Sequence, residues 1–322
     1  MDKILVTRYL PEECLTEIKK QYDVLIPSVK FTKEEIEAYL QEVVAVLDVG
    51  WQVKPNMMAA AGKQLKVYGT CSVGYDHVDV PACTKRGLAV VNTPNSVTRP
   101  TAEIAVGLLF DVMRRLSYHD RMLRTEMAWP NSFFSSEHQS LYGKTIGLVG
   151  FGRIGQCVAR MLKACGLHII YYNSRRVSEQ IEGELEAAYM PFEELLAKAD
   201  IVSLHCPYRK DNHHLMNPRT FGLMKPTAYF INTARGKLVD EQALVDALRD
   251  KTIAGAGLDV FEYEPKIHPD LLTLDNVVMT PHIGTLAYDV RMEMVAEVIH
   301  GLLEVLNQKR PHNIVNPEVI DN

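Results

Sequence analysis

The sequence predicts an α/β protein with two doubly wound parallel-sheet domains, and three observations lead to this prediction. The length of 322 residues suits two domains of ordinary size. Short β-rich runs alternate with amphipathic segments along the chain, which is typical of βαβ units. Between two such alternations, residues 92–100 concentrate Pro, Asn, Ser and Thr, which interrupt regular structure. We interpret that stretch as a connector between domains.

Composition and charge exclude several classes of protein. Hydrophobic residues make up 47% of the chain and charged residues 23%, the balance of a globular protein rather than a disordered one. The formal net charge of −5 and the absence of long basic runs argue against a nucleic-acid partner. The six cysteines form no CxxC pair, which favours free thiols in a reducing compartment and no bound metal. With no signal peptide and no membrane span expected, we predict a cytoplasmic protein.

The first alternation and the end of the chain are predicted to form one domain, residues 1–100 plus 287–322. Its strands are expected at Ile4–Thr7, Val24–Ile26, Val43–Asp48 and Leu65–Thr70. A long amphipathic helix from Ala287 to about Leu306 is expected to return to this domain, which otherwise lacks a closing helix.

The second alternation predicts a second domain, residues 101–286. Thr101 is expected to cap a long helix that ends near Tyr118. The strands that follow are mostly continuous apolar runs, as a sheet covered on both faces requires. They are expected at Thr145–Val149, His168–Tyr172, Ile201–His205, Ala228–Asn232, Ile253–Leu258 and Val277–Met279.

A glycine-rich loop joins the first strand of the second domain to a helical segment. In this loop Gly150 allows a tight turn, Gly152 lets the backbone approach a pyrophosphate, and Gly155 lets helix and strand pack closely. The helix N-terminus offers N–H groups and a positive dipole end to phosphates. The loop therefore predicts a Rossmann dinucleotide site, and three glycines in an ordinary turn are the alternative.

The end of the next strand bears on the choice of dinucleotide. An acidic residue there would accept hydrogen bonds from the ribose 2′-hydroxyl of NAD, but the chain has Asn173, followed by Ser174, Arg175 and Arg176. No carboxylate would repel a 2′-phosphate, and two guanidinium groups could bind one. We therefore favour NADP(H), while NAD(H) remains possible if the arginines are only solvated surface charges.

Polar residues after three later strands form a set that suits hydride transfer to a carbonyl. His282 could supply the proton for the oxygen, and Glu264 could hold the imidazolium. Arg235 could bind a substrate carboxylate and polarise the carbonyl. Each residue alone has an ordinary structural explanation, but in a doubly wound sheet all three are expected at the carboxyl edge, where ligands bind.

In this order the motifs resemble the D-isomer-specific 2-hydroxyacid dehydrogenase family, and the glyoxylate and hydroxypyruvate reductases in particular. The resemblance spans nearly the whole chain. It comprises the segments Val73-Gly-Tyr-Asp-His-Val-Asp79, Gly150-Phe-Gly152, Asn232-Thr-Ala-Arg-Gly236, Asp259 to Glu264, and Pro281-His282.

The resemblance implies roles for individual residues. Arg235, Glu264 and His282 match the catalytic residues, and Arg235 and His282 also contact substrate. The backbone of Ser72, Val73 and Gly74 matches a loop that receives the substrate carboxylate. Asn173 with its arginines is the main departure from the family, which more often uses NADH. From the residues and the resemblance together, the predicted cofactor-binding residues are Thr101, Gly150, Gly152, Arg153, Ile154, Gly155, Asn173, Ser174, Arg175, Arg176, Cys206, Pro207, Thr233, Ala234, Arg235, Asp259, His282 and Gly284.

The resemblance also implies an architecture and an assembly. Family members have a flavodoxin-like substrate domain and a Rossmann cofactor domain with the active site in the cleft between them. They are usually homodimers, so the helix Thr101 to Tyr118 and the loop after it are our predicted interface. Trp129 in that loop resembles a residue that reaches toward the partner's active site in some reductases, or it belongs to the dimer core.

The predicted function is reduction of a small 2-oxo acid, glyoxylate or hydroxypyruvate, to the D-2-hydroxy acid with NAD(P)H and without a metal. The alternatives are a 2-ketogluconate, D-lactate-type or phosphoglycerate dehydrogenase. A non-catalytic alternative also exists, because the family fold includes dinucleotide-binding corepressors that recruit other proteins.

Overall fold

The computed structural model of the protein describes residues 1–28, 30–127, 129 and 138–321. The chain divides into two compact units. The first comprises Met1–Val97 and Thr285–Asn322, and the second comprises Thr98–Gly284. Each unit is built around its own parallel sheet, so the predicted fold class is confirmed.

The strands of the first unit are Lys3–Val6 (β1), Asp23–Leu25 (β2), Ala45–Asp48 (β3), Val67–Thr70 (β4) and Ala89–Val91 (β5). All are parallel, in the spatial order β2-β1-β3-β4-β5. This is the flavodoxin-like order, in which the winding reverses between β1 and β3.

The strands of the second unit are Thr145–Val149 (β6), His168–Tyr172 (β7), Ala187–Tyr189 (β8), Ile201–Leu204 (β9), Tyr229–Asn232 (β10), Gly255–Leu258 (β11) and Val277–Met279 (β12). They pair in parallel in the order β12-β11-β10-β9-β6-β7-β8. The first six in chain order follow the Rossmann arrangement, with β6 and β9 side by side at the reversal, and β12 extends one edge.

The helices run, in chain order, Glu12–Leu15 (α1), Lys33–Tyr39 (α2), Pro55–Ala60 (α3), Val80–Lys85 (α4), Thr98–Arg114 (α5), Leu116–Glu126 (α6), Arg153–Lys163 (α7), Glu179–Leu185 (α8), Phe192–Lys198 (α9), Pro218–Phe221 (α10), Glu241–Arg249 (α11) and Tyr288–Leu306 (α12). Among the described residues, no helix combines the length and hydropathy needed to cross a bilayer.

Helix α12 packs on the sheet of the first unit, although it follows the second unit in the chain. Its residues Val298 and Leu302 lie in the same buried core as β1, β3 and β4. A Cβ atom at Gly69 of β4 would lie only 2.4 Å from Cγ1 of Val298. Glycine at this position therefore allows the helix to approach the strand closely.

The prediction of one long helix from Thr101 to Tyr118 is wrong at both of its ends. Helix α5 begins at Thr98, so residues of the predicted connector form its first turn, and Thr101 is buried inside the helix rather than capping it. Pro100 is compatible with this start because a first-turn residue needs no N–H partner. The helix ends at Arg114, since Arg115 has a left-handed backbone (φ 53°), and α6 then runs to Glu126.

Two strands, β5 and β8, were not predicted from the sequence. Both have three residues and lie at sheet edges. Such short runs carry too few residues to show a periodic pattern, and pairing with a neighbouring strand decides their conformation. The strands that were predicted are all present, with ends displaced by at most two residues.

Candidate active site

The glycine loop has the geometry expected of a dinucleotide turn. Gly150 follows β6 with a φ of +95°, and a Cβ there would lie 2.4 Å from the backbone nitrogen of Cys206. A Cβ on Gly155 would lie 2.3 Å from the carbonyl oxygen of Gly150. Gly152, by contrast, faces open space where a ligand could approach. The protein's own backbone thus excludes a side chain at Gly150 and Gly155, whereas Gly152 leaves open space beside the start of α7.

The first turn of α7 contains Arg153 and Ile154. Arg153 is exposed, whereas Ile154 packs against the core of the second unit and so anchors the turn. The N–H groups at this helix start lack helical acceptors and are suited to an anion. Thr101 and Gly284 lie together elsewhere in this unit, because a Cβ on Gly284 would come within 3.7 Å of the Thr101 hydroxyl.

The segment after β10 is shaped by the buried side chain of Asn232. Its Oδ1 accepts a hydrogen bond from the N–H of Ala234 (3.0 Å), and its Nδ2 donates to the carbonyl of Arg235 (3.0 Å). These bonds close a tight turn in which the chain leaves the direction of β10 before it reaches the half-buried Arg235. The Thr233 hydroxyl oxygen is buried in this turn without a hydrogen-bond partner.

The carboxylate of Asp259 joins the ends of β11 and β12. It is 1% exposed and accepts three hydrogen bonds, from the Thr280 hydroxyl (2.6 Å) and from the N–H groups of Ile283 (2.7 Å) and Gly284 (2.8 Å). These donors flank His282, whose backbone is left-handed with a φ of 54°. Asp259 therefore fixes the loop that carries His282 in a conformation that few residues other than glycine adopt.

His282 is held from its other side by Glu264. Nδ1 of His282 lies 2.8 Å from Oε2 of Glu264, and the N–H of Phe261 donates to Oε1 (3.0 Å). An ionised carboxylate only accepts hydrogen bonds, so Nδ1 carries the proton in this pair. Nε2 is then the ring nitrogen that can exchange a proton with a substrate.

The electrostatics of Glu264 are influenced by both of the other predicted catalytic side chains. Burial raises the pKa of Glu264, but the hydrogen bond and charge of His282 lower it, as do the Phe261 N–H and the charge of Arg235. The net effect places the pKa below the ordinary value of 4.5. At neutral pH Glu264 is therefore an anion beside His282 and Arg235.

The arginines after β7 differ in their surroundings. Arg176 donates two hydrogen bonds of 2.8 Å to Glu182, which also accepts the hydroxyl of Tyr171. These bonds lower the pKa of Glu182 to about 2. Arg175 is exposed and, among the described residues, its guanidinium has no hydrogen-bond or ion-pair partner. Asn173 fixes this turn by donating to the Arg175 carbonyl (3.1 Å), and Ser174 is exposed.

Cys206 and Pro207 follow β9 beside the glycine loop. The Cys206 backbone packs against Gly150, and the Pro207 carbonyl accepts a hydrogen bond from Asn212 (2.9 Å). Burial raises the pKa of the Cys206 thiol to about 11, so the thiol stays protonated near neutral pH. It is a poor nucleophile in this state.

The predicted substrate loop belongs to the first unit. The hydroxyl of Ser72 donates to the Gly74 carbonyl (2.7 Å), and Asn92 donates to the Val73 carbonyl (2.8 Å). Among the described residues, no acceptor meets the N–H groups of Val73 and Gly74. The loop is thus held rigidly through its acceptors and keeps two donors for an anion.

Sequence reasoning did not predict the positioning roles of Asn232 and Asp259 in this site. Asn232 was noted only as part of a motif, although Asn side chains often form turns by accepting a hydrogen bond from the backbone N–H two residues later. The bonds of Asp259 to the His282 loop had no sequence signal, because its partners lie 21 to 25 positions away.

Comparison with known proteins gives consistent matches. Residues 106–284 match the model of the D-isomer specific 2-hydroxyacid dehydrogenase, NAD binding domain. A glyoxylate reductase of Thermococcus onnurineus is 39% identical over 99% of this chain and 97% of its own length. One from Thermofilum pendens is 40% identical over 99% and 95%.

Solved structures agree over nearly the whole chain. A glyoxylate reductase from Paecilomyes thermophila has a TM-score of 0.90 at 28% identity, covering 98% of each chain. An NADPH-dependent glyoxylate/hydroxypyruvate reductase from Sinorhizobium meliloti, solved with NADP and malonate, has a TM-score of 0.86 at 30% identity, also covering 98% of each chain.

The lowered pKa of Glu264 predicts a pH-dependent contribution to stability. The native carboxyl binds fewer protons than the unfolded one, so its stabilisation is present above about pH 4.5 and is lost as the pH falls through the lowered pKa. Glu264→Gln should therefore lower the urea midpoint at pH 7, and the deficit should shrink at pH values below 4.5. Glu194→Gln, at an exposed position, is the control and should show no such trend. A deficit that stays constant or grows in acid would contradict the assignment.

Proposed function

The chain belongs to the D-isomer-specific 2-hydroxyacid dehydrogenase family, and we propose that it reduces glyoxylate or hydroxypyruvate with NADPH. Family membership makes it an oxidoreductase that uses a nicotinamide dinucleotide and interconverts small 2-oxo and 2-hydroxy acids. The observation that carries the proposal is the hydrogen-bonded pair of Glu264 and His282, with Arg235 near enough to influence the same carboxyl.

His282 is the proposed proton donor to the substrate oxygen. Glu264 keeps the proton on Nδ1 and, as an anion, stabilises the doubly protonated ring that exists before donation from Nε2. When Nε2 has given its proton to the oxygen, the neutral ring remains hydrogen-bonded to Glu264 through Nδ1. Oxidation of the hydroxy acid uses the same residues in reverse.

Arg235 is proposed to bind the 2-oxo acid. Its guanidinium carries a permanent charge, and a fork of N–H groups can meet a carboxylate or a carbonyl oxygen. One of these groups, Nη1–H, already donates to the Ala234 carbonyl (2.8 Å), which orients the fork. As the carbonyl oxygen gains negative charge, this fixed cation stabilises it. We propose that the N–H groups of Val73 and Gly74, with Ser72, receive the substrate carboxylate from the first unit.

The second unit fits a dinucleotide, and the first is the proposed substrate domain. The turn at Gly150 and Gly155, the open side of Gly152 and the unpartnered Thr233 hydroxyl are features that a bound dinucleotide would explain. When bound, the reduced nicotinamide supplies the hydride. The remaining proposed cofactor contacts come from Thr101, Arg153, Ile154, Cys206, Pro207, Ala234, Asp259 and Gly284.

Preference for NADPH is supported by the charge after β7. No acidic side chain occupies position 173, and the exposed Arg175 guanidinium has no partner among the described residues. Arg176 already donates two hydrogen bonds to Glu182, so it is the weaker candidate for binding a 2′-phosphate. The two arginines, which sequence reasoning treated alike, are thus proposed to differ.

We propose a homodimer with α6 in its interface. This helix has no buried residue, and Leu116 and Leu123, two turns apart on one face, are 57% and 44% exposed. Met127 and Trp129 beyond it are 82% and 76% exposed. Exposed large apolar side chains on one face of a helix are typical of a protein interface. The rest of the predicted interface loop, residues 130–137 together with Ala128, lies outside the described residues.

The activity is tested by initial rates of NADPH and NADH oxidation with glyoxylate, hydroxypyruvate, pyruvate, phenylpyruvate and 2-ketogluconate. We expect the highest kcat/KM with glyoxylate or hydroxypyruvate and NADPH. His282→Ala should lower kcat by about 10²–10⁴-fold, because the proton donor is lost, while NADPH binding followed by fluorescence changes little. The control His300→Ala, on α12, should keep full activity. No turnover on any of the five acids would favour the non-catalytic alternative.

The two arginines can be separated by single substitutions. Arg175→Ala should raise KM for NADPH about 10-fold, the loss of one charged hydrogen bond, and leave KM for NADH nearly unchanged. Arg176→Ala should have a smaller effect on both, because its guanidinium is engaged by Glu182. Equal effects of Arg175→Ala on the two cofactors would disprove the 2′-phosphate contact.

The interface is tested by sedimentation velocity of two matched variants on α6. Leu123→Glu places a charge on the apolar face and should shift the protein toward monomer. Thr125→Glu adds the same charge on another face of the helix, at an exposed position, and should leave the dimer intact. A dimer of unchanged stability in Leu123→Glu would exclude this face as the interface.

A further inference from the structure

A cluster of potential metal ligands lies in the second unit and has no part in the proposed reaction. The side chains of His213, His214 and Glu262 bring three ligand atoms within 4.8 Å of one another, and among the described residues no other such group of three occurs. His213 and His214 belong to the loop between β9 and α10, and Glu262 follows β11.

The backbone places both imidazole rings on the same side of the chain. Consecutive residues in an extended segment point to opposite sides, but His214 has a left-handed backbone with a φ of 52°. The two rings consequently stack, with centroids 3.8 Å apart. The segment is anchored by the Lys237 carbonyl, which accepts the N–H of His214 (3.1 Å).

The hydrogen bonds of His213 prepare one of its nitrogens for a metal. Its Nδ1 lies 3.2 Å from the same Lys237 carbonyl, and a carbonyl can only accept, so Nδ1 carries the hydrogen. Nε2 of the neutral ring then holds a lone pair. A backbone carbonyl on the far nitrogen is the usual way in which proteins orient a metal-binding histidine.

Glu262 supplies a buried negative charge to this cluster. Its side chain is 6% exposed, and its Oε1 lies 2.7 Å from Nε2 of His214. A second buried acid, Glu241, accepts the Glu262 N–H (2.6 Å). A cation held at Glu262 would compensate the carboxyl groups that are buried side by side here.

We propose that His213, His214 and Glu262 bind a divalent transition-metal ion, for which Zn²⁺ is the best match. Two imidazoles and one carboxylate form a ligand set that Zn²⁺ uses, with a fourth position for water. Ligand atoms at about 2.0–2.2 Å from a tetrahedral Zn²⁺ lie roughly 3.4 Å from one another. The 2.7 Å separation of His214 and Glu262 must therefore widen, and any separation that approaches 4.8 Å must shorten. The exposed His213 side chain can make this adjustment. The proton on His214 Nε2 moves to Nδ1 through solvent as the metal takes its place.

The alternative is a structural hydrogen bond between His214 and Glu262 that binds no metal. It accounts for those two residues, and the Lys237 carbonyl and the Tyr208 ring hold the ring of His213. It gives no role to the lone pair on Nε2 of His213, which the metal site uses. The site is also separate from the catalytic pair, because Glu264, two residues after Glu262, directs its carboxylate to His282.

The test uses the untagged full-length protein after chelator treatment and buffer exchange, titrated with ZnCl2 by calorimetry. We expect one Zn²⁺ per chain. Removing a residue that only hydrogen-bonds to a metal ligand weakens metal binding by about 10- to 100-fold. His213→Ala removes a ligand itself and should weaken Zn²⁺ binding by at least this factor. His300→Ala, an exposed histidine of the first unit, is the control and should bind as the unsubstituted protein does. His282→Ala should also retain the site, which separates it from zinc bound at the catalytic pair.

A spectroscopic measurement complements the titration. Co²⁺ in place of Zn²⁺ should give visible d–d bands with the unsubstituted protein and with His300→Ala, but not with His213→Ala or Glu262→Gln. The proposal is overturned if no stoichiometric Zn²⁺ binding is observed, or if His213→Ala binds Zn²⁺ as tightly as the control. Neither readout depends on turnover, so its failure would leave the proposed reductase activity untouched.

Discussion

The buried carboxylate of Asp259 is the interaction on which the catalytic arrangement depends. Three hydrogen-bond donors from the end of β12 converge on it, and His282 lies between two of them in a left-handed backbone conformation. Without a fixed acceptor at this point the strained loop could relax, and the distance from His282 to Glu264 would no longer be defined. Asp259 thereby links the sheet, which is rigid, to the residue proposed to move the proton.

Close backbone approaches bring the other parts of the site to the same edge of the sheet. A Cβ on Gly236 would lie 1.9 Å from the carbonyl carbon of Phe261, so the segments after β10 and β11 touch through their backbones. Arg235 precedes this contact, and the N–H of Phe261 donates to Glu264. The parallel strands deliver three loops to one edge, and glycines let these loops meet without intervening side chains.

Glu262 and Glu264 show how one short segment serves two clusters. Glu264 faces His282 and Arg235, whereas Glu262 is buried against His214 and Glu241. A cation at the second cluster would bind to the segment that also carries the proposed catalytic acid. The proposed metal site and the proposed active site are therefore connected by the short backbone segment from Glu262 to Glu264, although they share no side chain.

The sequence by itself determined the fold class, the glycine turn and the identity of the residues proposed to do the chemistry. These features rest on local patterns: buried strands are continuous apolar runs, and Gly150 and Gly155 are required by the turn that contains them. Position near strand ends, residue chemistry and the family resemblance together singled out Arg235, Glu264 and His282, because parallel strands end at a common edge.

Only the tertiary structure decided how those residues are held. The division of the long helix at Arg115, the edge strands β5 and β8, the bonds of Asp259 and the pairing of Arg176 with Glu182 all depend on what lies opposite in space. The same holds for His213 and His214, which meet Glu262 across 48 positions of chain. Local propensity cannot encode such contacts, since their free energy comes from partners that are adjacent only after the sheet has formed.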